Sequence, residues 1–284
     1  ANYSRKGYDS GMKTYRLTSH DASEIPLPAA TLDEISHRLP QGVYTTFRTY
    51  AHGARVLGLQ LHLDRLYQPA RAQEIQPEIS EQELRRFLLQ ACSTLANEAR
   101  VRLTLSLTDS PGAVFATIQP FTPLTADVYQ RGVRVLSVET SRSSPRLKST
   151  AFIESSAGLR KLVTGDVFEV LLRRDERVLE GMTSNFYAVQ RGVLVTSRYG
   201  ILLGVTRRTL IRLARKAGLE IEYRPPELDE PFDEAFLTSS SRGVVPIVAI
   251  DGKMVADGQP GPWTKKLMAA YNAYVEKNAE WISA

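Results

Sequence analysis

The sequence predicts an α+β fold divided into two domains. Strand and helix patterns are mixed in both halves, and a stretch with two prolines and several threonines at 119–127 separates them. The chain has 284 residues, 43% of them hydrophobic, which is enough for two hydrophobic cores. We therefore expect an N-terminal domain over 1–120, a linker over 121–128 and a C-terminal domain over 129–284.

The N-terminal elements follow from residue periodicity after a weakly patterned stretch at 1–42. Ser80 and Glu83 have the spacing of a helix capping box, and four apolar residues alternate with polar ones from Val101 onwards, as in a half-buried strand. The expected elements are strand 43–50, helices 61–75 and 80–98, and strands 101–107 and 113–118.

The C-terminal half contains many short apolar stretches punctuated by turn residues such as Arg191-Gly192 and Asp251-Gly252. The expected strands are 132–139, 166–173, 185–190, 193–196, 219–224, 234–238 and 244–250. The expected helices are one near 151–163 and two at 206–217 and 262–278.

Composition excludes several classes of function. No apolar stretch approaches the ~20 residues that span a bilayer, and 1–13 lacks the apolar segment of a secretory signal. The single cysteine, Cys92, excludes an internal disulfide, and four histidines without ligand spacing predict no metal site, so a reducing cytoplasm is expected. The net charge of +5 arises from arginines scattered among acids, which favours a cleft for anions over nucleic-acid binding.

Two segments have the chemistry of an anion site. Gly204-Val205-Thr206 opens an apolar-faced helix whose first backbone N–H groups are free to bind an anion, and the serines at 239–241 follow a predicted strand. Taken alone, each is also an ordinary helix cap or loop. Lys148 and Glu180 are similarly ambiguous, because an isolated lysine is usually a surface charge and a glutamate before glycine is usually a turn residue.

Their order along the chain removes this ambiguity. Lys148 is followed by four further motifs: Glu180-Gly-x-x-x-Asn185-Phe186, Gly204-Val205-Thr206-Arg207, Thr238-Ser239-Ser240 and Gly261-Pro262-Trp263-Thr264-Lys265. This series, from about Gly42 to Tyr271, resembles the fold-type IV (class IV) aminotransferases, which depend on pyridoxal 5′-phosphate (PLP). That group includes branched-chain aminotransferases, D-amino acid aminotransferases and aminodeoxychorismate lyases.

The resemblance implies a two-domain enzyme with PLP between the domains, active as a homodimer. Lys148 would form the Schiff base with PLP and move the substrate proton, while Glu180 would pair with the pyridine nitrogen. The other implied cofactor-binding residues are Arg65, Asn185, Val205, Thr206, Ser239 and Ser240.

The resemblance favours transamination between an apolar, branched-chain L-amino acid and a 2-oxo acid such as 2-oxoglutarate. The implied substrate-binding residues are Tyr44, Arg48, Arg102 and Ser241. An aminodeoxychorismate lyase is the alternative, because Thr45-Thr46 matches a typical threonine pair, although the expected glycine- and arginine-rich loop is replaced at 107–112. A D-amino acid or amine transaminase is a further alternative.

Overall fold

The computed structural model describes residues 11–95 and 97–283. Residue contacts divide the chain into two compact units. Unit 1 comprises Ala1–Phe121, Ser149–Ile153 and Glu280–Ala284, and unit 2 comprises Thr122–Lys148 and Glu154–Ala279. The expected boundaries did not anticipate the two short segments that belong to unit 1, because both are distant from it in sequence.

The elements are as follows. The strands are β1 Lys13–Leu17, β2 Ala22–Ile25, β3 Gly42–Tyr50, β4 Arg55–Val56, β5 Ala99–Ser106, β6 Val114–Pro120, β7 Val133–Glu139, β8 Val167–Arg174, β9 Arg177–Gly181, β10 Asn185–Gln190, β11 Val193–Val195, β12 Glu220–Glu222, β13 Glu234–Ser239, β14 Gly243–Ile250, β15 Lys253–Met254 and β16 Glu280–Trp281. The helices are α1 Leu32–Ser36, α2 Leu59–Arg71, α3 Glu81–Ser93, α4 Ala126–Arg131, α5 Thr150–Ser155, α6 Ala157–Arg160, α7 Val205–Lys216 and α8 Pro262–Asn278. The α+β class is confirmed.

Unit 1 is built on a seven-stranded antiparallel sheet with the order β16-β4-β3-β5-β6-β1-β2. Helix α2 buries Leu59, Leu63 and Leu66. Helix α3 begins with the predicted capping box, in which the Ser80 side chain accepts from the Glu83 N–H and the Glu83 carboxylate accepts from the Ser80 N–H.

Three elements among the described residues 11–42 have no counterpart in the predictions, namely β1, β2 and α1. Strand β1 pairs with β6, which lies about a hundred positions later, and Thr14 and Thr117 share a buried hydrogen bond of 3.1 Å between their hydroxyls. Periodicity within a short window contains no information about such a partner. The predicted helix near 151–163 was also imprecise, because it is divided into α5 and α6.

The sheet of unit 2 closes on itself. Its order is β12-β11-β10-β13-β14-β7-β8-β9, with β15 paired to β14, and β9 pairs with β10 as well. The strands β10, β13, β14, β7, β8 and β9 therefore form a ring. All six contribute apolar side chains to one core cluster, which includes Val135, Leu171, Val178, Phe186, Leu237 and Val245.

A β-bulge changes which side of β9 faces this core. Leu171 pairs with Gly181, Leu172 pairs with Glu180, and Arg173 pairs with Val178, so Leu179 is an extra residue. In a regular strand, Val178 and Glu180 would point to the same side, because they are two residues apart. With the bulge, Val178 lies in the core cluster and Glu180 lies on the opposite face of the ring.

That opposite face carries three neighbouring polar residues. Phe186 and Leu237 belong to the core cluster, so alternation places Asn185 and Thr238 on the other side. Asn185 pairs with Glu180 on one flank and with Thr238 on the other. Register and bulge together therefore put Glu180, Asn185 and Thr238 in one row across three strands.

Within 11–95 and 97–283, no helix is both long and apolar enough to cross a membrane. The same residues contain no group of three or more histidine, cysteine, aspartate or glutamate side chains placed to hold a metal ion.

Candidate active site

The centre of the site in unit 2 is the Glu180 carboxylate, whose residue is 2% exposed. Arg142 Nε donates to Oε1 at 2.7 Å, and the backbone N–H of Leu202 donates to Oε2 at 3.1 Å. Each oxygen has one hydrogen-bond donor, which leaves lone pairs for a further donor. A buried carboxylate with this remaining capacity suits a protonated ring nitrogen.

The electrostatics of Glu180 connect it to Lys148. Burial raises the pKa of the Glu180 carboxyl above its ordinary value, because the charged form loses hydration. The Arg142 charge, the hydrogen bonds from Arg142 and Leu202, and the Lys148 charge all lower this pKa, although burial has the larger effect. The structure therefore places the Lys148 ammonium within electrostatic range of Glu180.

Lys148 lies at the end of an irregular segment between β7 and α5 and is half-buried. Two arginines of this segment bind backbone carbonyls elsewhere in unit 2. Arg142 Nη2 donates to Met182 O at 3.0 Å, and Arg146 Nη2 donates to Arg198 O at 3.3 Å. The segment has no regular secondary structure. Buried Arg142 holds it to the turn after β9, whereas Arg146 is exposed and its longer bond contributes little.

An anion cradle lies at the start of α7. Its N-cap is Gly204, and no side chain caps the helix, so the first N–H groups remain available to a bound anion. Thr206 Oγ1 lies 3.3 Å from Ser240 Oγ, which brings the hydroxyls of two predicted phosphate ligands together.

Asn185 supports the loop that leads into this cradle. Its side-chain amide donates to Leu202 O at 2.7 Å. A Cβ on Gly204 would lie only 2.4 Å from Asn185 Oδ1, so this close approach requires glycine at 204. In unit 2, Asn185 thus positions the segment whose Leu202 N–H binds Glu180.

Sequence reasoning missed the supports of this site. Arg142 binds Glu180, and Arg242 donates to Ser239 Oγ at 3.1 Å and to Thr183 Oγ1 at 2.6 Å. Arg242 also forms an ion pair of 2.7 Å with Glu169, which is 2% exposed. Glu169 stands between Phe168 and Val170 in the apolar part of β8 (167–172), and a lone buried acid among apolar residues indicates that it has a charged partner.

Four of the remaining predicted site residues lie in unit 1, namely Tyr44, Arg48, Arg65 and Arg102. Arg102 is 6% exposed and donates to Thr46, Asp33, Ser36 and the Leu32 carbonyl, with its guanidinium 4.8 Å from the centre of the Tyr44 ring. These contacts hold the Arg102 side chain inside unit 1, and its role towards a substrate stays a prediction.

Arg48 forms an ion pair with Glu98, and its guanidinium lies 4.6 and 4.2 Å from the ring centres of Tyr50 and Phe121. Arg65 lies half-buried on α2. In unit 2, Ser241 is buried in the turn after β13, beside Ser239 and Ser240. The structure therefore brings together several of the predicted cofactor-binding residues of unit 2, and it gives Arg48 and Arg102 acceptors inside unit 1.

Comparison with known proteins shows the family of this chain. The model of the class IV aminotransferase family matches residues 42–250. A probable branched-chain-amino-acid aminotransferase of Thermotoga maritima is 30% identical over 272 residues, covering 92% of this chain and 95% of that protein. The D-alanine aminotransferase of Bacillus licheniformis is 27% identical, covering 89% and 95% respectively.

The fold is shared as well. A solved structure of a putative branched-chain amino acid aminotransferase from Thermotoga maritima superimposes with a TM-score of 0.76 at 25% identity, covering 94% of this chain and 96% of that one. This chain belongs to the class IV aminotransferase family. Enzymes of this family depend on PLP, and the chain is accordingly a PLP-dependent aminotransferase.

The residues present fit this cofactor. A half-buried lysine lies in electrostatic range of a buried carboxylate, and an uncapped helix start with two neighbouring hydroxyls offers donors to a phosphate. All of these groups belong to unit 2.

Proposed function

We propose that this aminotransferase moves the amino group of an apolar, branched-chain L-amino acid to a 2-oxo acid such as 2-oxoglutarate, with Lys148 and Glu180 as its central residues. The observation that carries the residue assignment is the buried Glu180 carboxylate, held by Arg142 and influenced by the Lys148 charge. Branched-chain specificity is supported by the names of the relatives from Pseudomonas aeruginosa and Thermotoga maritima.

Each central residue has a distinct task. Bound PLP supplies a ring that accepts the electron pair released when a bond at the substrate α-carbon breaks. Lys148 Nζ would hold the cofactor, and once released it would accept the α-proton and deliver it to the cofactor carbon. In the second half-reaction it would move a proton in the opposite direction. The Glu180 carboxylate would accept a hydrogen bond from the protonated ring nitrogen, which keeps that positive charge in place.

The phosphate would be held by the cradle at the start of α7. The backbone N–H of Val205, the N–H and hydroxyl of Thr206, and the hydroxyl of Ser240 are its donors. Ser239 accepts from Arg242, so it would act through its backbone and through the position of that arginine. Arg65, which lies in unit 1, is proposed as a further phosphate-binding residue.

A D-amino acid substrate is the second candidate. It is favoured by relatives named D-alanine aminotransferase, including one of Bacillus licheniformis that matches over 272 residues.

For the lyase alternative, both members of the Thr45-Thr46 pair are engaged in unit 1. Thr45 Oγ1 lies 2.6 Å from His62 Nδ1, and Thr46 Oγ1 accepts from Arg102 at 3.2 Å.

The test is a visible absorption spectrum of the purified, PLP-loaded protein before and after addition of L-leucine, L-isoleucine or D-alanine. We expect the band of the lysine-bound cofactor to convert to a pyridoxamine-like band with the L-amino acids. Conversion with D-alanine alone would establish the second candidate instead. A band that ignores all three would exclude these substrates, and turnover that persists in Lys148→Ala would show that the lysine is wrongly assigned.

We also propose that the active form is a homodimer located in the cytoplasm. The relatives match along nearly their full length, and the one cysteine, Cys92, is buried and free, as expected of a reducing compartment. Light scattering of the PLP-loaded enzyme is expected to give twice the chain mass of 31.6 kDa. A single-chain mass that retains full activity would contradict the dimer.

A further inference from the structure

The most deeply buried ion pair of unit 2 joins Arg142 to Glu180. Their side chains are 3% and 2% exposed, and the atoms are 2.7 Å apart. A charge removed from water in this way is retained only when its partner and hydrogen bonds offset the lost hydration. Arg142 is therefore not one of the surface arginines that give the chain its net positive charge, and its buried position calls for a specific role.

Arg142 lies in the same segment of the chain as Lys148. This segment is irregular, and Arg142 precedes Lys148 in it by six residues. Its guanidinium bonds the Glu180 side chain through Nε and the Met182 carbonyl through Nη2. One planar group thus joins the segment that carries the lysine to the turn that follows the glutamate.

We propose that Arg142 is a positioning residue for the bound cofactor: it keeps the Glu180 carboxylate charged and in place, and it ties the segment carrying Lys148 to the turn after β9. The cofactor ring must meet Lys148 at one end and Glu180 at the other. Arg142 fixes the separation between these two contacts. The inference rests on the proposed roles of Lys148 and Glu180.

Arginine suits this task better than lysine would. Its donors lie in a rigid plane, so two acceptors in different directions are held at a fixed angle. Two charged groups act on Glu180, Arg142 and Lys148, and both belong to the same segment. The backbone N–H of Leu202, from the loop before α7, adds a hydrogen bond. Burial raises the pKa of Glu180 and Arg142 lowers it, so the charge on Arg142 opposes the effect of burial.

The experiment compares Arg142→Met and Arg142→Lys with Arg146→Met in the PLP-loaded enzyme. Arg146 is the matched control, because it is an exposed arginine of the same segment that contacts only the Arg198 carbonyl. Two quantities are measured for each variant: the PLP dissociation constant of the apoenzyme, and kcat as a function of pH. The first readout does not depend on activity.

For Arg142→Met we expect PLP binding to weaken about tenfold or more, as when an outer support of a ligand group is lost. We also expect the acid limb of the kcat profile to move up by about one pH unit or more, because the opposite charge that lowers the pKa of Glu180 is gone. Arg142→Lys should restore the acid limb and leave PLP binding weaker than in the wild type, since it replaces the charge without the two-acceptor geometry. Arg146→Met should change neither quantity by more than about twofold.

Two results would overturn the proposal: an acid limb that stays in place in Arg142→Met, or PLP binding in that variant as tight as in Arg146→Met. If Arg142→Met does not fold, Arg142→Lys decides alone, because unchanged PLP affinity in Arg142→Lys would exclude the positioning role of Arg142. Failure of the proposed function is distinguishable, since it would appear in wild-type protein and in Lys148→Ala, whatever the arginine variants do.

Discussion

The two long helices of unit 2 begin alike in sequence and differently in structure. Both follow a glycine, Gly204 before α7 and Gly261 before α8, and both have a threonine in the first turn. At α8, the Glu234 carboxylate fills the N-terminus and accepts from Trp263 N, Thr264 N and Thr264 Oγ1 at 2.6–2.9 Å. At α7, no side chain takes that place.

This difference separates an internal helix cap from a site for an external anion. The same positive end of a helix attracts a carboxylate or a phosphate. At α8 the chain supplies the anion itself, and a Cβ on Gly261 would lie 2.2 Å from Glu234 Cδ, so the space is fully used. At α7 we propose that a bound phosphate takes this position, with the hydroxyls of Thr206 and Ser240 beside it.

The two buried glutamates differ in the same way, because Glu180 lies in the proposed site and Glu234 caps α8. Substituting each of them should give the largest difference between loss of activity and loss of stability. Glu180→Gln should lower kcat by about 10² or more, because an amide cannot hold the ring nitrogen in its charged form. Glu234→Gln should instead lower the free energy of unfolding by about 1–3 kcal/mol, because it weakens buried charge-assisted hydrogen bonds at α8.

Steady-state kinetics with L-leucine and urea unfolding of both variants check this. The kcat of folded Glu234→Gln should stay within about twofold of the wild type, since Glu234 is bound to the start of α8 and has no predicted cofactor role. An equal loss of kcat in the two variants would remove the distinction between the helix cap and the site.

The threonines give a smaller difference in the same sense. Thr206→Val removes one hydroxyl from the α7 cradle and should weaken PLP binding about tenfold, or about 1.4 kcal/mol, with little change in stability of the apoenzyme. Thr264→Val removes a donor to buried Glu234 and should cost about 1–3 kcal/mol of stability while PLP affinity is kept. PLP titration and thermal unfolding of each variant decide, and PLP affinity lost to the same extent in both would mean that α7 is not the phosphate site.

Much of this fold is predictable from local pattern. The strands β3, β5, β10 and β14 follow from apolar periodicity, and the start of α3 follows from Ser80 and Glu83. Strand β1 does not, because its partner β6 is remote in sequence. The bulge at Leu179 is equally invisible, although it decides that Glu180 leaves the core face.

The site divides in the same way. Lys148, Glu180 and Thr206 are recognisable from their order along the chain, whereas Arg142 has no motif of its own. Its function depends on where the irregular segment 140–148 is held, and that is set by Met182 and Glu180 from a different part of unit 2. Arg102 is a different case: its sequence position resembles a substrate ligand and its Nη1 donates to Asp33, Ser36 and Leu32, so a role towards the substrate stays a prediction.

The smallest expected effect is on the pH dependence of the stability of the apoenzyme. Because burial raises the pKa of Glu180, the folded protein holds that proton more tightly than the unfolded chain does. The stability contributed by this group is full below its unfolded pKa of ~4.3 and is lost as the pH rises through the higher folded value. Glu180→Gln has no such proton, so wild-type stability should fall relative to this variant as the pH rises from about 5 to 8, by about 1.4 kcal/mol for each unit of pKa difference. Urea unfolding of the two apoenzymes across this range measures the difference, and a constant difference would mean that burial does not raise the pKa of Glu180 in the apoenzyme.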